Sequence, residues 1–243
     1  MTEVWAHRGA SVDAPENTLP AFELAIQRGA QGMELDVQRT ADGQLVIIHD
    51  ETVNRTSDGS GWIKDLTLPE LRRLNFHNGF VDYPTVQIPT LRETLDLIGP
   101  SGIWINVELK NTIELYPGME EQVLQEVVES GWQDQVIFSS FNHFSLANLR
   151  DRVAPENLAL LYHGSLFDPW QYAKWFGAGA IHPHHRTLRQ KHFMWLCHEA
   201  GIKVRTWPVN DEEIVKKQAT LGVDAIITGF PERMRAVVDG MNR

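Results

Sequence analysis

Short β-rich apolar runs alternate with amphipathic stretches along almost the whole chain. This alternation is typical of repeated strand–helix units that build a parallel sheet. The predicted strands are Val4–His7, Gly32–Val37, Ile103–Leu109, Val136–Ser139, Leu158–Leu161, Ala180–His182, Lys203–Thr206 and Ala225–Thr228. The predicted helices that follow them are Thr18–Arg28, Leu91–Ile98, Met119–Glu129, His143–Arg150, Pro169–Phe176, Leu188–Glu199, Asp211–Thr220 and Pro231–Val238. Eight strands and eight helices predict an α/β fold that closes into a single (β/α)₈ TIM barrel.

The length of the chain agrees with this architecture. Its 243 residues are close to the ~250 that such barrels typically contain. With 42% hydrophobic and 22% charged residues, the chain can bury a sizeable core. We therefore expect one barrel domain over residues 1–243.

One segment interrupts the alternation of strands and helices. Residues 51–89 lie between the second strand region and its helix and are rich in Gly, Ser, Asp and Asn. Active sites of barrels lie at the carboxyl ends of the strands, so an insertion after strand two would lie over the site. The alternative is a surface loop with no role, but loops this long in compact domains are usually functional or disordered.

Net charge and chain ends limit the partners. The formal charge of −10 argues against a nucleic-acid interface, which needs an excess of Lys and Arg. A small anionic substrate would instead need a bound cation or a few placed basic residues. Residues 1–6 have no basic region followed by an apolar run, and no run approaches the ~20 apolar residues of a membrane span. We expect a cytoplasmic protein without stable membrane insertion; its oligomeric state stays open.

Two acidic residues share one face of the second predicted strand. Glu34 and Asp36 are two positions apart, while Met33, Leu35 and Val37 occupy the opposite face. Two carboxylates that face inward repel each other and lose hydration, so we expect a shared cation, with Ca²⁺ or Mg²⁺ as the natural ion. The alternative is an exposed strand face with solvated acids, which the three flanking apolar residues weaken.

The third strand repeats this pattern with Glu108 and Lys110 near its carboxyl end. Glu108 completes a plausible three-carboxylate site, whereas Lys110 could neutralise a phosphate or form a salt bridge with Glu108. His7 ends strand one, and His49 ends the apolar run at residues 45–48, so both should reach the barrel mouth. Imidazole titrates near neutrality, so two histidines beside a bound phosphate could exchange the protons of a hydrolysis.

Several short motifs combine these candidate residues with their neighbours. They are His7-Arg8-Gly9, Pro15-Glu16-Asn17-Thr18, Glu34-Leu35-Asp36-Val37, His49-Asp50, Arg55-Thr56, Gly59-Ser60-Gly61, Glu108-Leu109-Lys110, Ser139-Ser140-Phe141, Trp207-Pro208-Val209-Asn210 and the stretch from Gly222 to Thr228. Together these motifs resemble those of the glycerophosphodiester phosphodiesterases. They follow the family's order and span nearly the whole chain. Jointly they are highly specific.

The resemblance implies a barrel enzyme that splits deacylated phospholipids, such as glycerophosphocholine or glycerophosphoethanolamine, into glycerol 3-phosphate and an alcohol. It implies one divalent cation, Mg²⁺ or Ca²⁺. The implied roles are metal ligands for Glu34, Asp36 and Glu108, acid–base catalysis for His7 and His49, phosphate contacts for Arg8 and Lys110, and pocket contacts for Phe141 and Trp207. Which histidine is the acid, and whether water or the glycerol 2-hydroxyl attacks, stays open.

The chain departs from the resemblance at two positions. Gly229 stands where the family commonly has an aspartate after the last strand, and Pro208 stands where it often has threonine. An aspartate at 229 could cap the last helix, so we expect Gly229 to alter how this helix begins. Neither position belongs to the proposed metal or proton-transfer residues.

Other residues offer weaker signals. His182, His184 and His185 could hold a transition metal, but a pocket-lining role for His182 or His184 is the better interpretation. The tryptophans at 170, 175 and 195 lie in helical patterns and are expected to pack.

Two rival functions follow from the sequence. One is a phospholipase D or sphingomyelinase of related barrel design that acts on intact lipids and should carry a hydrophobic lip. The other is an inactive barrel that only binds, which would require a missing ligand or histidine.

Overall fold

A closed barrel of parallel strands forms the centre of the computed structural model, which describes residues 1–188 and 190–241. The strands are β1 (Glu3–His7), β2 (Gly32–Arg39), β3 (Leu45–Ile47), β4 (Trp104–Leu109), β5 (Val136–Ser140), β6 (Leu158–Tyr162), β7 (Ala180–Pro183), β8 (Lys203–Thr206) and β9 (Ala225–Thr228). Within the described residues, all strands except β3 pair in parallel in the order β1-β9-β8-β7-β6-β5-β4-β2, and β1 pairs with β2 to close the ring. The (β/α)₈ prediction is confirmed.

The ninth strand was not predicted. Residues 45–47 pair antiparallel with the end of β2, with Val37 opposite Ile47 and Arg39 opposite Leu45. The chain thus turns back on β2 immediately after it leaves the barrel. This return brings the following residue pair, His49 and Asp50, to the barrel mouth.

Helices surround the barrel. They are α1 (Leu19–Gln27), α2 (Leu68–Leu71), α3 (Leu91–Ile98), α4 (Met119–Ser130), α5 (His143–Leu149), α6 (Pro169–Phe176), α7 (Phe193–Glu199), α8 (Glu212–Leu221) and α9 (Pro231–Gly240). The predicted capping box of α3 is present, because Thr90 accepts from the Glu93 N–H and Glu93 accepts from the Thr90 N–H. Pro20 lies in the first turn of α1, and Gly222 ends α8 in the left-handed conformation.

The predicted start of the helix at Leu188 was wrong. The helix α7 begins at Phe193, since residues 185–187 form a separate 3₁₀ turn and His192 has a left-handed backbone with φ of 64°. Position 189, which this prediction included, lies outside the described residues. A left-handed residue cannot continue a right-handed helix, so the apolar periodicity alone placed the start too early.

Alternating side chains divide the core into two layers. Met33, Leu35 and Val37 point outward from β2 and pack with helix residues such as Phe22 and Leu95. The interior contains a smaller cluster, formed by Trp5, Ile137, Ala159, Ala180, Ala225 and Ile227. Glu34 and Asp36 occupy the inward positions of β2 near the barrel mouth, and the interior also buries the polar side chains of His182 and Arg205.

The segment from residue 51 to residue 89 has a small core of its own. Val53, Ile63, Leu71, Phe76, Val86 and Ile88 are buried there together with Val46 and Ile48 of the preceding run. The helix α2 and a 3₁₀ turn at Ile63–Asp65 are its regular elements. The segment is therefore packed against the end of β3.

Some side chains differ from expectation. Trp170 is buried, but Trp175 and Trp195 are exposed, so the prediction that both pack was wrong. Their helices bury the opposite faces against the barrel. Cys197 is buried in α7. Within residues 1–188 and 190–241, no helix combines the length and apolar character that a bilayer crossing requires.

Candidate active site

Three carboxylates meet at the carboxyl ends of β2 and β4. Asp36 and Glu108 are register partners on these neighbouring strands, and Glu34 lies two residues before Asp36 on the same face. One oxygen from each of the three carboxylates lies within 4.8 Å of the others, and all three residues are buried. Period-two alternation within each strand and parallel register between them therefore create the cluster.

The electrostatics of this cluster favour a bound cation. Burial, followed by repulsion from Asp36 and Glu108, raises the pKa of Glu34 well above its usual range. Burial likewise raises the pKa of Glu108, although Lys110 opposes this shift. Burial also works against ionised Asp36, but Arg8 and Lys110 outweigh it and lower the pKa of Asp36 below its usual range. Burial and mutual repulsion thus hold Glu34 and Glu108 against ionisation, and a bound cation would offset both effects.

The donor set fits a hard divalent ion. All three ligands offer oxygen, the donor that Mg²⁺ and Ca²⁺ prefer. The Oδ1 atom of Asp36 is buried and has no hydrogen-bond partner, so it is free to coordinate. Within the described residues this is the one group of His, Cys, Asp or Glu side chains close enough to hold a metal.

Two basic side chains border the carboxylates. Arg8 Nε lies 3.2 Å from Asp36 Oδ2, and its Nη1 donates to Glu16 at 2.9 Å. Lys110 Nζ lies 2.9 Å from Glu108 Oε1 and 3.8 Å from Asp36 Oδ1. The salt bridge considered for Lys110 is therefore formed. The ammonium of Lys110 has three N–H donors, so an anionic ligand can still accept a hydrogen bond from it beside Glu108.

A tight turn after β1 carries His7 and Arg8. Arg8 has a left-handed backbone with φ of 58°, and its N–H donates to the Glu34 carbonyl and to Glu34 Oε2, each at 3.0 Å. Gly9 follows with φ of 86°, and a Cβ atom there would lie 2.7 Å from the backbone of Ala21. Only glycine fits between the turn and α1. The His-Arg-Gly motif thus has a structural reason for its third residue.

His7 faces the carboxylates from β1. Its Nε2 lies 3.8 Å from Glu34 Oε2. Burial, followed by the positive charge of Arg8, lowers the pKa of His7 to about 3. The imidazole is therefore neutral at physiological pH and can accept a proton.

The second histidine is held by its neighbours after β3. The side-chain amide of Gln38 donates to the carbonyls of Ile48, His49 and Asp50 at 3.2, 3.0 and 2.7 Å. His49 Nδ1 lies 2.7 Å from Asp50 Oδ1. Gln38 thus holds the backbone of His49, and Asp50 holds its ring. The other ring nitrogen, Nε2, is left for the cavity.

A cavity of about 110 Å³ opens between these groups. It is lined by His7, Arg8, Glu34, His49, Asn106, Glu108, Phe141, Leu161, Trp207, Pro208 and Ile227. Seven of the nine residues singled out from the sequence line it. Asp36 and Lys110 do not, but both contact residues that do. The rings of Phe141 and Trp207 meet edge to face with centroids 5.3 Å apart and form an apolar wall.

Four cavity residues were not assigned a role from the sequence: Asn106, Leu161, Pro208 and Ile227. Asn106 precedes Glu108 by two positions, so strand periodicity alone could have found it. Its Oδ1 is buried without a hydrogen-bond partner. Pro208, one of the two departures from the resemblance, is thus part of the cavity wall.

The other departure, Gly229, lies beside the first loop. Its N–H donates to Asn210 Oδ1 at 3.0 Å, and the hydroxyl of Thr228 accepts from the Phe230 N–H at the start of α9. A Cβ atom at 229 would lie 2.9 Å from Val12 Cγ2 and 3.0 Å from Ser11 Oγ. The side chains of Thr228 and Asn210 thus accept hydrogen bonds from the backbone N–H groups of this turn, and no aspartate is needed.

The three histidines after β7 separate in space. His182 is fully buried in the barrel and its Nε2 lies 3.2 Å from Arg205 Nη1, while its carbonyl accepts from Trp207 Nε1 at 2.7 Å. His184 stacks near His185 and the ring of Trp207. Neither His182 nor His184 lines the cavity, but His182 contacts the cavity residue Trp207 through its carbonyl.

Comparison with known proteins gives consistent matches. The chain matches the sequence profile of the Glycerophosphoryl diester phosphodiesterase family over residues 7–233. It is 41% identical to a glycerophosphodiester phosphodiesterase of Caldanaerobacter subterraneus subsp. tengcongensis over 234 residues, or 96% of each chain. It is also 41% identical to one of Bacillus altitudinis over 236 residues, with the same coverage. An Oleispira antarctica phosphodiesterase, solved in complex with the product sn-glycerol-3-phosphate, superposes with a TM-score of 0.84 at 34% identity and covers 98% of this chain and 97% of its own.

Proposed function

The chain belongs to the glycerophosphodiester phosphodiesterase family and is a phosphoric diester hydrolase, and we propose that it hydrolyses deacylated phospholipids to glycerol 3-phosphate and an alcohol. Glycerophosphocholine and glycerophosphoethanolamine are the proposed substrates, and the proposed cofactor is one Mg²⁺ or Ca²⁺. One observation carries the proposal. Two of the three clustered carboxylates line one small cavity together with two histidines and Arg8, and the third carboxylate, Asp36, lies against Arg8.

Charge complementarity supports binding of a phosphodiester at this place. Arg8 offers a guanidinium fork and Lys110 an ammonium, and both already lie against Asp36. Glu34, Asp36 and Glu108 would hold the cation, which supplies positive charge that polarises the phosphoryl oxygens. The two basic side chains orient the phosphodiester and offset the negative charge that develops during displacement.

Proton transfer is assigned to the two histidines. His7 and His49 both line the cavity, so a phosphodiester bound there lies between groups that can give and take protons. One imidazole protonates the leaving alkoxide, and the other removes a proton from the attacking oxygen. The attacker is water or the glycerol 2-hydroxyl; the latter gives a cyclic phosphate that is hydrolysed next.

The apolar wall supports a small organic group beside the phosphate. Phe141, Trp207 and Leu161 line the cavity together with the charged residues. We assign to Phe141 and Trp207 the packing of the glycerol or the leaving alcohol. The volume of about 110 Å³ limits the enclosed part of the ligand to a small group.

We further propose that residues 51–89 shape access to this cavity as part of one domain. Arg55 in this segment binds Glu16 in the loop after β1 and Asp50 beside His49. Contacts on both sides of the mouth support a role near the substrate. The cytoplasmic location and the absence of a nucleic-acid partner stay predictions from the sequence.

The first experiment measures glycerol 3-phosphate released from glycerophosphocholine and glycerophosphoethanolamine, with EDTA and then with added Mg²⁺ or Ca²⁺. We expect release that requires metal. His7→Ala and His49→Ala should abolish most of it, whereas His198→Ala should not, because His198 pairs with Asp224 at the surface of α7. Circular dichroism checks that each variant folds. No release by the wild type with any metal would refute the assigned substrates.

Intact phospholipids are a second candidate, because one specific feature favours them. Exposed apolar side chains lie in the segments that follow the barrel strands: Val12, Trp62, Val81, Ile113, Leu115, Phe144, Leu166 and Phe167. Phe144 and Phe167 are 86% and 89% exposed. A hydrophobic lip of this kind is expected for an enzyme that works at a lipid surface.

A substrate comparison separates the two candidates. Release of choline from phosphatidylcholine vesicles is measured beside its release from glycerophosphocholine. Faster turnover of vesicles, lost in Phe144→Ser with Phe167→Ser but kept in Trp195→Ser on α7, would favour the intact lipid. We expect the deacylated substrate to react faster, with the lip contributing little.

A further inference from the structure

We propose that Arg55 is a positioning residue: it holds the carboxylates of Asp50 and Glu16 in one clamp and thereby fixes the orientation of His49 and Arg8. This proposal rests on the proposed function for its kinetic consequence. Its structural part concerns the free protein. Arg55 belongs to the segment 51–89 and does not itself line the cavity.

The clamp uses every nitrogen of one guanidinium. Arg55 Nε and Nη2 donate to Asp50 Oδ2 and Oδ1 at 2.7 and 3.0 Å. Arg55 Nη1 and Nη2 donate to Glu16 Oε2 and Oε1 at 2.7 and 2.8 Å. Each carboxylate therefore accepts two hydrogen bonds from Arg55, a bidentate geometry that the planar guanidinium allows and a lysine does not.

One side of the clamp sets the imidazole of His49. Asp50 Oδ1 receives Arg55 Nη2 and also lies 2.7 Å from His49 Nδ1. Hydrogen bonds from Arg55, opposed by partial burial and joined by His49, lower the pKa of Asp50 to about 2, so this carboxylate is ionised at neutral pH and can only accept. His49 must therefore donate from Nδ1, so Nε2 is the unprotonated nitrogen in the neutral form of the ring.

The other side of the clamp sets Arg8. Glu16 Oε1 receives Arg55 Nη2 at 2.8 Å and Arg8 Nη1 at 2.9 Å. Arg8 in turn lines the cavity and lies against Asp36. The chain of contacts from His49 through Asp50, Arg55 and Glu16 to Arg8 thus links both walls of the site through one residue.

Global stability is not expected to depend much on this clamp. The Arg55 side chain is 44% exposed, and exposed ion pairs usually add little to the free energy of unfolding. The effect should instead appear in catalysis: partners that orient metal-ligating histidines typically change activity by about 10- to 100-fold when removed, and we expect a similar effect for a histidine that transfers protons.

The test compares Arg55→Gln and Arg55→Lys with Arg72→Gln. Arg72 is a matched control: it lies in the same segment and holds Glu93 with two hydrogen bonds at 2.8 and 2.6 Å, away from the cavity. Long-range ¹H–¹⁵N NMR at fixed neutral pH reports which nitrogen of His49 carries the proton. Steady-state kinetics with glycerophosphocholine gives kcat and KM.

We expect Arg55→Gln to replace the single Nδ1-protonated form of His49 by a mixture and to lower kcat by about tenfold or more. Arg55→Lys should be intermediate, because it keeps the charge but loses the fork. Arg72→Gln should match the wild type. The proposal is overturned if His49 keeps the same tautomer in Arg55→Gln, or if the kcat of this variant stays within twofold of Arg72→Gln.

The two readouts separate this proposal from the function it rests on. If the wild type hydrolyses no glycerophosphodiester, the proposed function fails, and the NMR comparison still decides whether Arg55 orients His49. If the wild type is active and His49 changes tautomer without loss of kcat, the catalytic part of the clamp is refuted.

Discussion

The side-chain amide of Asn17 donates a 2.8 Å hydrogen bond to Asp36 Oδ2. Asn17 is buried in the loop before α1, and its backbone is left-handed with φ of 56°. The loop after β1 is thereby tied to a proposed metal ligand on β2. One carboxylate oxygen of Asp36 is fixed, while the other has no hydrogen-bond partner.

Removing this amide should weaken metal binding. Asn17→Gly keeps the left-handed backbone without strain but loses the hydrogen bond, so we expect affinity for Mg²⁺ or Ca²⁺ to fall by about tenfold or more. Calorimetric titration measures the affinity. Asn157→Gly is the control, because Asn157 donates to the carbonyls of Gln133 and Val136 before β6, away from the carboxylates. Equal affinity in the two variants would contradict the role of Asn17.

Metal binding should stabilise the fold through Glu108. An ion that binds only the folded state raises the melting temperature, and a tenfold weaker site loses about 1.4 kcal/mol of this stabilisation. Glu108→Gln should therefore show a much smaller metal-induced shift than the wild type in thermal unfolding with and without EDTA. Glu120→Gln is a matched control, since Glu120 is equally buried but bonds Asn111. A full shift in Glu108→Gln would argue against a three-carboxylate site.

The stability of the fold should depend on pH through His182. Burial, together with the charge of Arg205, lowers the pKa of His182 well below its usual range. Below about pH 6.5 the histidine is protonated in the unfolded chain but stays neutral in the folded chain. The free energy of unfolding therefore falls as the pH falls, by up to about 1.4 kcal/mol per pH unit. His182→Gln can still accept from Arg205 but does not titrate. Urea unfolding between pH 7 and 5.5 should give it a shallower slope than the wild type; parallel slopes would refute the assignment.

Gly32 should not tolerate a side chain. A Cβ atom there would lie 2.4 to 2.6 Å from the ring of Trp5, whose other neighbour is the guanidinium of Arg205 at 4.7 Å from the ring centroid. The fully buried indole has little room to move, so Gly32→Ala should cost roughly 1 to 3 kcal/mol. Chemical unfolding measures the loss. Gly164→Ala, where a Cβ atom meets nothing within 4 Å, should leave stability nearly unchanged.

Much of the site could be predicted from local order in the sequence. Glu34 and Asp36 alternate with apolar residues, and this period of two is enough to place both carboxylates on the inner face of the strand. The capping box at Thr90 and Glu93 and the proline at the start of α1 involve residues within a few positions of one another. Signals of this kind depend only on neighbours along the chain.

The start of α7 shows where such signals fail. Apolar periodicity extended the helix back to Leu188, but the left-handed backbone of His192 prevents this. Periodicity contains no information on this choice.

The sequence by itself determined the strand–helix alternation, the inward carboxylates and the loop histidines, because each follows from spacing along the chain. Only the tertiary structure decided that β3 folds back on β2, that Gln38 fixes the backbone of His49, and that Arg55 meets Glu16 across 39 residues. The first two contacts depend on how the chain turns back after β2, and the third forms because β1 pairs with β2 and brings the following loops to one mouth.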